Sequence, residues 1–178
     1  SAFYFLPFYV MILTGLKPYE DVSVWQMWDL PKEFYMGSII EAWNKVSRNF
    51  LNSALVTIPA AIISTFIGSI NGYIFAKWPF RGSNLIFFLF LFGLFLPYQA
   101  ILIPLVQVLV YMGIYAKIVG LIVVHCIFGI PLPALLFRSY FVGIPKELID
   151  AAKIDGCGFF GIYLRILLPI SLPAFAVV

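Results

Sequence analysis

The sequence has 178 residues, of which 63% are hydrophobic and 11% are charged, and its mean hydropathy is +1.03. Soluble domains average about 45–50% apolar and about 25% charged residues, so this composition excludes an ordinary soluble domain. It indicates an integral membrane protein. The formal net charge of +3 is too small to suggest nucleic acid as a partner.

Five apolar segments follow one another along the chain. A helix needs about 20 residues to cross a hydrocarbon layer about 30 Å thick, and the three middle segments are long enough. The alternation typical of membrane β-barrel strands is missing from the sequence, so we expect an all-α polytopic bundle. The segments are residues 1–16 (the end of a spanning helix), 52–76, 84–112, 118–137 and 166–178 (the start of one).

Residues within these segments predict how the helices bend and pack. Proline removes a backbone donor, so kinks are expected at four positions in the third and fourth segments: Pro97, Pro104, Pro131 and Pro133. Small side chains recur along one stripe of the second segment, at Ser53, Thr57, Ser64, Gly68 and Gly72. Such a stripe favours close helix packing over a pore-lining role.

The charges of the connections predict the orientation. Residues 77–83 contain two basic and no acidic side chains, and residues 138–165 contain four basic and three acidic ones. Residues 17–48 balance four basic against five acidic side chains. The positive-inside rule therefore places 77–83 and 138–165 in the cytoplasm and 17–48 outside.

The outer connection carries local signals of its own. Ser38 and Glu41 have the spacing of a capping box, which predicts a helix from about Ile39. Several aromatic residues suit the membrane interface, although an external protein is an alternative partner for them. They are Trp25, Trp28, Tyr35 and Trp43.

Uncharged polar residues in or near the apolar segments are candidates for a translocation path. Asn52, Gln99 and Gln107 could face an aqueous cavity or hold helices together. Their lack of charge fits a neutral, polyhydroxylated substrate better than an ion. His125 is interpreted as a packed or hydrogen-bonded imidazole, and the two cysteines are not expected to form a disulfide.

The polar stretch from Pro145 to Gly156 predicts a short surface helix. Pro145 suits the first helical position, Glu147 and Asp150 place negative charge in the first turns, and Gly156 can adopt a left-handed cap. One face combines residues at helical spacing, half of them alanines, which would let a partner protein approach closely. These residues are Leu148, Ala151, Ala152 and Asp155.

Glu147 to Gly156, followed by Ile166, Leu168, Pro169 and Pro173, resembles the EAA loop of ABC importer permeases, especially the carbohydrate-uptake permeases of the maltose-transporter type. Further similarity lies in Asn52-Ser53, in Lys77 to Gly82, in the segment of Pro97 and Pro104, and in Phe141 to Pro145. Asp150-Ala151-Ala152 stands where the family usually has Glu-Ala-Ala, and Asp155-Gly156-Cys157 where it has Asp-Gly-Ala.

The resemblance implies one transmembrane permease domain over residues 1–178. This domain would hold about five of the six spanning helices of a type I ABC importer permease, truncated at both ends, in a bacterial or archaeal cell membrane. It implies alternating access with a second permease subunit, two ATP-binding subunits and an extracytoplasmic sugar-binding protein. The residues implied in coupling to the ATPase are Glu147, Asp150, Ala151, Ala152, Asp155 and Gly156.

Catalysis by this chain itself is not expected. It contains no G-x-x-x-x-G-K-[ST] sequence, so ATP hydrolysis would belong to partner subunits, and no cofactor or metal is expected. A polyol or glycerol phosphate is an alternative substrate. An ion-coupled secondary transporter is a less favoured alternative, because only His125 could serve as its ionisable intramembrane group.

Overall fold

The computed structural model describes residues 2–178, apart from the side chain of Ala2, and forms helices without a strand over that range. This confirms the all-α prediction. Short 3₁₀ helices lie at Ala2–Phe5, Tyr19–Asp21 and Gly93–Phe95, and a π-helix at Tyr163–Leu167. The α-helices are α1 (Leu6–Gly15), α2 (Gly37–Lys77), α3 (Ser83–Phe92), α4 (Tyr98–Tyr111), α5 (Ile118–Gly129), α6 (Pro131–Val142), α7 (Lys146–Ile154), α8 (Phe159–Ile162), α9 (Leu168–Ile170) and α10 (Leu172–Phe175).

Within residues 2–178, two helical stretches are long and apolar enough to cross a membrane. One is α2, with 41 residues, and the other is the 25-residue stretch Ile118–Val142, which joins α5 and α6. A third span results if α3 and α4 are counted together. The apolar stretches Phe3–Gly15 and Phe159–Ile170 are shorter. The five apolar segments of the sequence therefore correspond to five helical regions.

The third segment breaks at Pro97. Its two helical halves are bent by 101° relative to each other. The prediction of a kinked but continuous helix is therefore wrong here, because the helix is broken. Leu96 has φ −69° and ψ 124°, and Pro97 has φ −64° and ψ 120°. A proline pushes the preceding residue into the extended region. Two consecutive extended residues, Leu96 and Pro97, end the 3₁₀ helix that follows α3 and redirect the chain. Pro104, in contrast, lies within α4.

The chain divides into two compact units, residues 1–54 and 55–178. In the first unit, Lys17 follows α1 and is buried, and its ammonium donates to the Gln26 carbonyl oxygen at 2.6 Å. Tyr35 N–H donates to the Leu16 carbonyl oxygen at 3.0 Å. The predicted capping box is wrong. The Ser38 hydroxyl donates to the Lys17 carbonyl oxygen, and Glu41 pairs with Lys45 at 2.7 Å.

In the second unit, α2 packs against α6 through its glycines. A β-carbon on Gly68 would lie 2.5 Å from Pro133 Cβ, and one on Gly72 would lie 2.7 Å from the Arg138 backbone nitrogen. Neither distance leaves room for a side chain, so the packing interpretation of the small-residue stripe is confirmed here. Ser53 and Thr57 of the same stripe are exposed.

Candidate functional site

The polar connection between α6 and α8 comprises residues 143–158, and it is called the coupling loop below after the role that is proposed for it. It is shorter than the predicted 138–165, because α6 continues to Val142 and α8 begins at Phe159. Pro145 has φ −56° and ψ 138° and precedes the helix, so its predicted place as the first helical residue is wrong by one position. Helix α7 forms the centre of the loop.

Gly156 ends α7 in the way the sequence predicts, with φ +81°. Its N–H donates to the Lys153 carbonyl oxygen at 3.0 Å, and Cys157 N–H donates to the Ala152 carbonyl oxygen at 2.9 Å. These two hydrogen bonds make a Schellman motif, which requires a left-handed residue at this position. Glu147 in the first turn and Lys153 in the last place their charges as the helix dipole favours.

The two faces of α7 differ from the expectation. Ile149 and Ala152 are 2% and 5% exposed and pack into the core of the protein, so the prediction that Ala152 meets a partner is wrong. Ile149 and Ala152 lie three positions apart on one side of the helix, and burying them turns the opposite side outward. Ala151 is exposed there, and Ile154 is 87% exposed.

The coupling loop lies against the end of α2. Lys77 Nζ donates to the Ile144 carbonyl oxygen at 2.6 Å, just before α7 begins. Lys153 Nζ lies 4.7 Å from the centre of the Trp78 ring. The 77–83 connection and the coupling loop are therefore neighbours, as a placement on the same side of the membrane requires.

The candidate path residues are all exposed in the structure. Gln99 and Gln107 lie exposed on α4, and Asn52 is exposed on α2. A cavity of about 370 Å³ does lie between the α3–α4 break and α5. Its lining is mostly apolar, with Tyr98 and His125 as the side chains able to hydrogen-bond.

His125 is a further candidate for the translocation path. From the sequence alone, it is interpreted as a packed or hydrogen-bonded imidazole. Its Nδ1 lies 2.7 Å from the Leu121 carbonyl oxygen, so the expected hydrogen bond is present. The ring nevertheless remains exposed at the cavity. The sequence signal for this role is that His125 is the only histidine of the chain and lies inside an apolar segment. Its position near the Pro97 break is visible only in the fold. Cys126 and Cys157 are both free.

Comparison with known proteins assigns the class. The chain belongs to the family of binding-protein-dependent transport system inner membrane components, whose model matches residues 64–178. It is therefore a multi-pass membrane protein with the all-α fold of type I ABC importer permeases. Membership of this family argues against the alternative that the chain is an ion-coupled secondary transporter.

Several sugar permeases are similar to this chain. The xylose/arabinose import permease of Haloferax volcanii is 35% identical, with 99% of this chain and 64% of the relative aligned. The glucose import system permease of Saccharolobus solfataricus is 30% identical, with 98% and 63% aligned. The arabinooligosaccharides transport system permease of Bacillus subtilis is also 30% identical, with 98% and 63% aligned. The chain spans less than two thirds of the length of these relatives.

Proposed function

We propose that the chain is the permease subunit of an ATP-driven importer that moves a sugar across the cell membrane by alternating access. The observation that carries the proposal is the alignment of nearly the whole chain with permeases named for xylose/arabinose, glucose and arabinooligosaccharides. Uncharged polar groups and aromatic rings at membrane depth fit such substrates, because a sugar offers hydroxyl groups and apolar ring faces rather than a charge.

The proposed partners follow from the family's dependence on a binding protein. An extracytoplasmic binding protein would deliver the sugar, a second permease subunit would complete the pathway, and two ATP-binding subunits would hydrolyse ATP. The chain would then supply the path and the coupling contact but no catalytic group.

The coupling contact is proposed to be the exposed side of α7. Ala151 and Ile154 would enter a cleft on the ATPase, while Glu147, Asp150 and Asp155 would lie at its polar rim. Ala152 would act from the other side by holding α7 to the permease core. Gly156 would keep the end of α7 in its capped form.

The orientation belongs to the same proposal. With residues 77–83 and 138–165 in the cytoplasm and 17–48 outside, the coupling loop faces the ATPase. A cysteine introduced at Arg81 should be labelled only by a reagent added to the cytoplasmic side, and one at Lys32 only from outside. Labelling from the opposite sides would overturn the orientation and the coupling role together.

The translocation path is proposed to include Gln99 and Gln107, with Asn52 and His125 as further candidates. Replacing Gln99, Gln107 or His125 by alanine should change the apparent affinity for the sugar or the preference among sugars while assembly stays intact. If all three variants transport normally, these side chains serve packing or lipid contact instead.

The direct test is reconstitution of the full-length protein with its ATP-binding subunits and binding protein in liposomes. Uptake is measured with labelled xylose, arabinose, glucose and arabinooligosaccharides, with and without ATP. We expect ATP-dependent uptake of at least one sugar. A complex that assembles and hydrolyses ATP but moves only a polyol or glycerol phosphate would refute the sugar assignment.

A further inference from the structure

The helix that follows the coupling loop is attached to α2 through Tyr73, a residue with no role in the function proposed so far. Tyr73 is completely buried, and its ring lies at the centre of an aromatic cluster. Ring centres lie 4.8 Å away for Phe159, 5.7 Å for Tyr163 and 6.4 Å for Trp78. The cluster therefore joins α2 to the helix that follows the loop and to the residue directly after Lys77.

The hydroxyl of Tyr73 adds two hydrogen bonds to this aromatic packing. Trp78 Nε1–H donates to it at 2.5 Å, and the hydroxyl in turn donates to the Phe159 carbonyl oxygen at 3.4 Å. A phenol can accept and donate at once, so both bonds can form together. They connect residues 5 and 86 positions away from Tyr73 in the sequence.

Trp78 extends the connection to α7 itself. Lys153 belongs to the last turn of α7, and its ammonium group lies over the Trp78 ring. The face of an indole ring attracts a cation in this position. At the opposite end of α7, Lys77 holds the Ile144 carbonyl oxygen. Helix α7 is thus attached, before its first turn and in its last turn, to the consecutive residues Lys77 and Trp78, which are the last residue of α2 and the one after it.

We propose that Tyr73 and Trp78 are positioning residues for coupling, which make α7 move together with the end of α2. This rests on the proposed function, because it assumes that the ATPase displaces α7. Chains of packed side chains can carry energetic coupling between distant sites. Helix α2 runs without a break to Lys77, so a displacement of α7 carried by Trp78 and Tyr73 reaches a membrane helix and is not absorbed by loop motion.

The test compares Trp78→Leu and Trp78→Phe in the reconstituted full complex. Trp78→Leu removes the ring beneath Lys153 and the donor to Tyr73, whereas Trp78→Phe keeps an aromatic ring and removes only the donor. Phe88→Leu is the control, because Phe88 is an aromatic residue that lies 67% exposed on α3. The measured quantity is sugar transported per ATP hydrolysed.

We expect Trp78→Leu to lower this ratio by about threefold or more, with ATPase association unchanged. Trp78→Phe should recover only part of the loss, because its hydrogen bond to Tyr73 stays broken, and Phe88→Leu should match the wild type. A ratio equal to that of the wild type in Trp78→Leu overturns the proposal. If Trp78→Leu fails to assemble, the nearly isosteric Tyr73→Phe decides: it removes the bridging hydroxyl, and an unchanged ratio there also overturns the proposal.

The same experiment separates this inference from the proposed function. If the wild-type complex moves no sugar on ATP hydrolysis, the proposed function fails whatever the variants do. If the wild type transports and both the Trp78→Leu and Tyr73→Phe variants transport equally well per ATP, the permease role stands and only the positioning role of Tyr73 and Trp78 is refuted.

Discussion

Residues 17–36 and residues 143–158 both connect apolar helices, but they bury their side chains differently. The first connection exposes nearly all of its large apolar residues, and the residue that it buries is the charged Lys17. The second buries Ile144, Ile149 and Ala152 in the core. The first is held by a few hydrogen bonds, such as those of Lys17 to Gln26 and of Tyr35 to Leu16, and the second by one buried face of α7. A connection that transmits motion needs the second kind of attachment.

The largest effect is expected for Ile149→Ala in the coupling loop. Removing a buried Ile side chain costs about 2–5 kcal/mol, partly because a cavity remains. The matched control is Ile154→Ala on the exposed side of the same helix, which should leave stability nearly unchanged. Unfolding of the purified protein in detergent measures both. Equal losses from the two variants would contradict the assignment of the buried and exposed sides.

Lys17→Met tests the one buried anchor of residues 17–36. Lys17 is 4% exposed, and a hydrogen bond to a charged donor contributes about 1.5–3 kcal/mol. We expect faster proteolysis within residues 18–36, with little effect on the coupling loop. Lys32→Met, at an exposed position, is the control. Unchanged cleavage in Lys17→Met would show that the backbone contacts suffice to hold this connection.

Gly156→Val should cost about 1–2 kcal/mol, because a β-branched residue is strained at φ +81°. Space is not the cause, since nothing lies within 4 Å of a β-carbon at Gly156. Gly158→Ala is the control, because Gly158 has φ −78° and equally open surroundings. Hydrogen exchange in the last turn of α7 should rise in the first variant only. If ATPase assembly and uptake stay normal despite that rise, the capped end of α7 is not needed for coupling.

The smallest effect is expected for Trp25→Ala. The side chain is 91% exposed, and surface substitutions away from special features usually change stability by about 0.5 kcal/mol or less. The same detergent unfolding measurement applies. A loss above that size would show that residues 17–36 depend on side-chain packing after all, and the contrast with the coupling loop would disappear. A selective loss of uptake at unchanged stability would instead favour an external protein contact for Trp25 over an interfacial anchor.

The sequence predicted the positions of the helices more accurately than the contacts between residues. Long uncharged segments gave the membrane class and the helical regions, and the positive φ of Gly156 followed from its place after an amphipathic stretch. The break at Pro97 was underestimated, because a proline is compatible with either a kink or a complete break, as Pro104 within α4 illustrates. The capping box failed because Ser38 found an acceptor 21 residues away.

By itself, the sequence determined that the protein is helical and membrane-embedded, roughly where its polar connections lie, and how α7 ends. These properties depend on local composition and on neighbours within a few positions. Only the tertiary structure decided which side of α7 is buried, since Ile149 and Ile154 are equally apolar and differ only in what packs against them. Only the tertiary structure brought Tyr73 and Trp78 to residues more than 70 positions away, because such contacts depend on how whole helices pack.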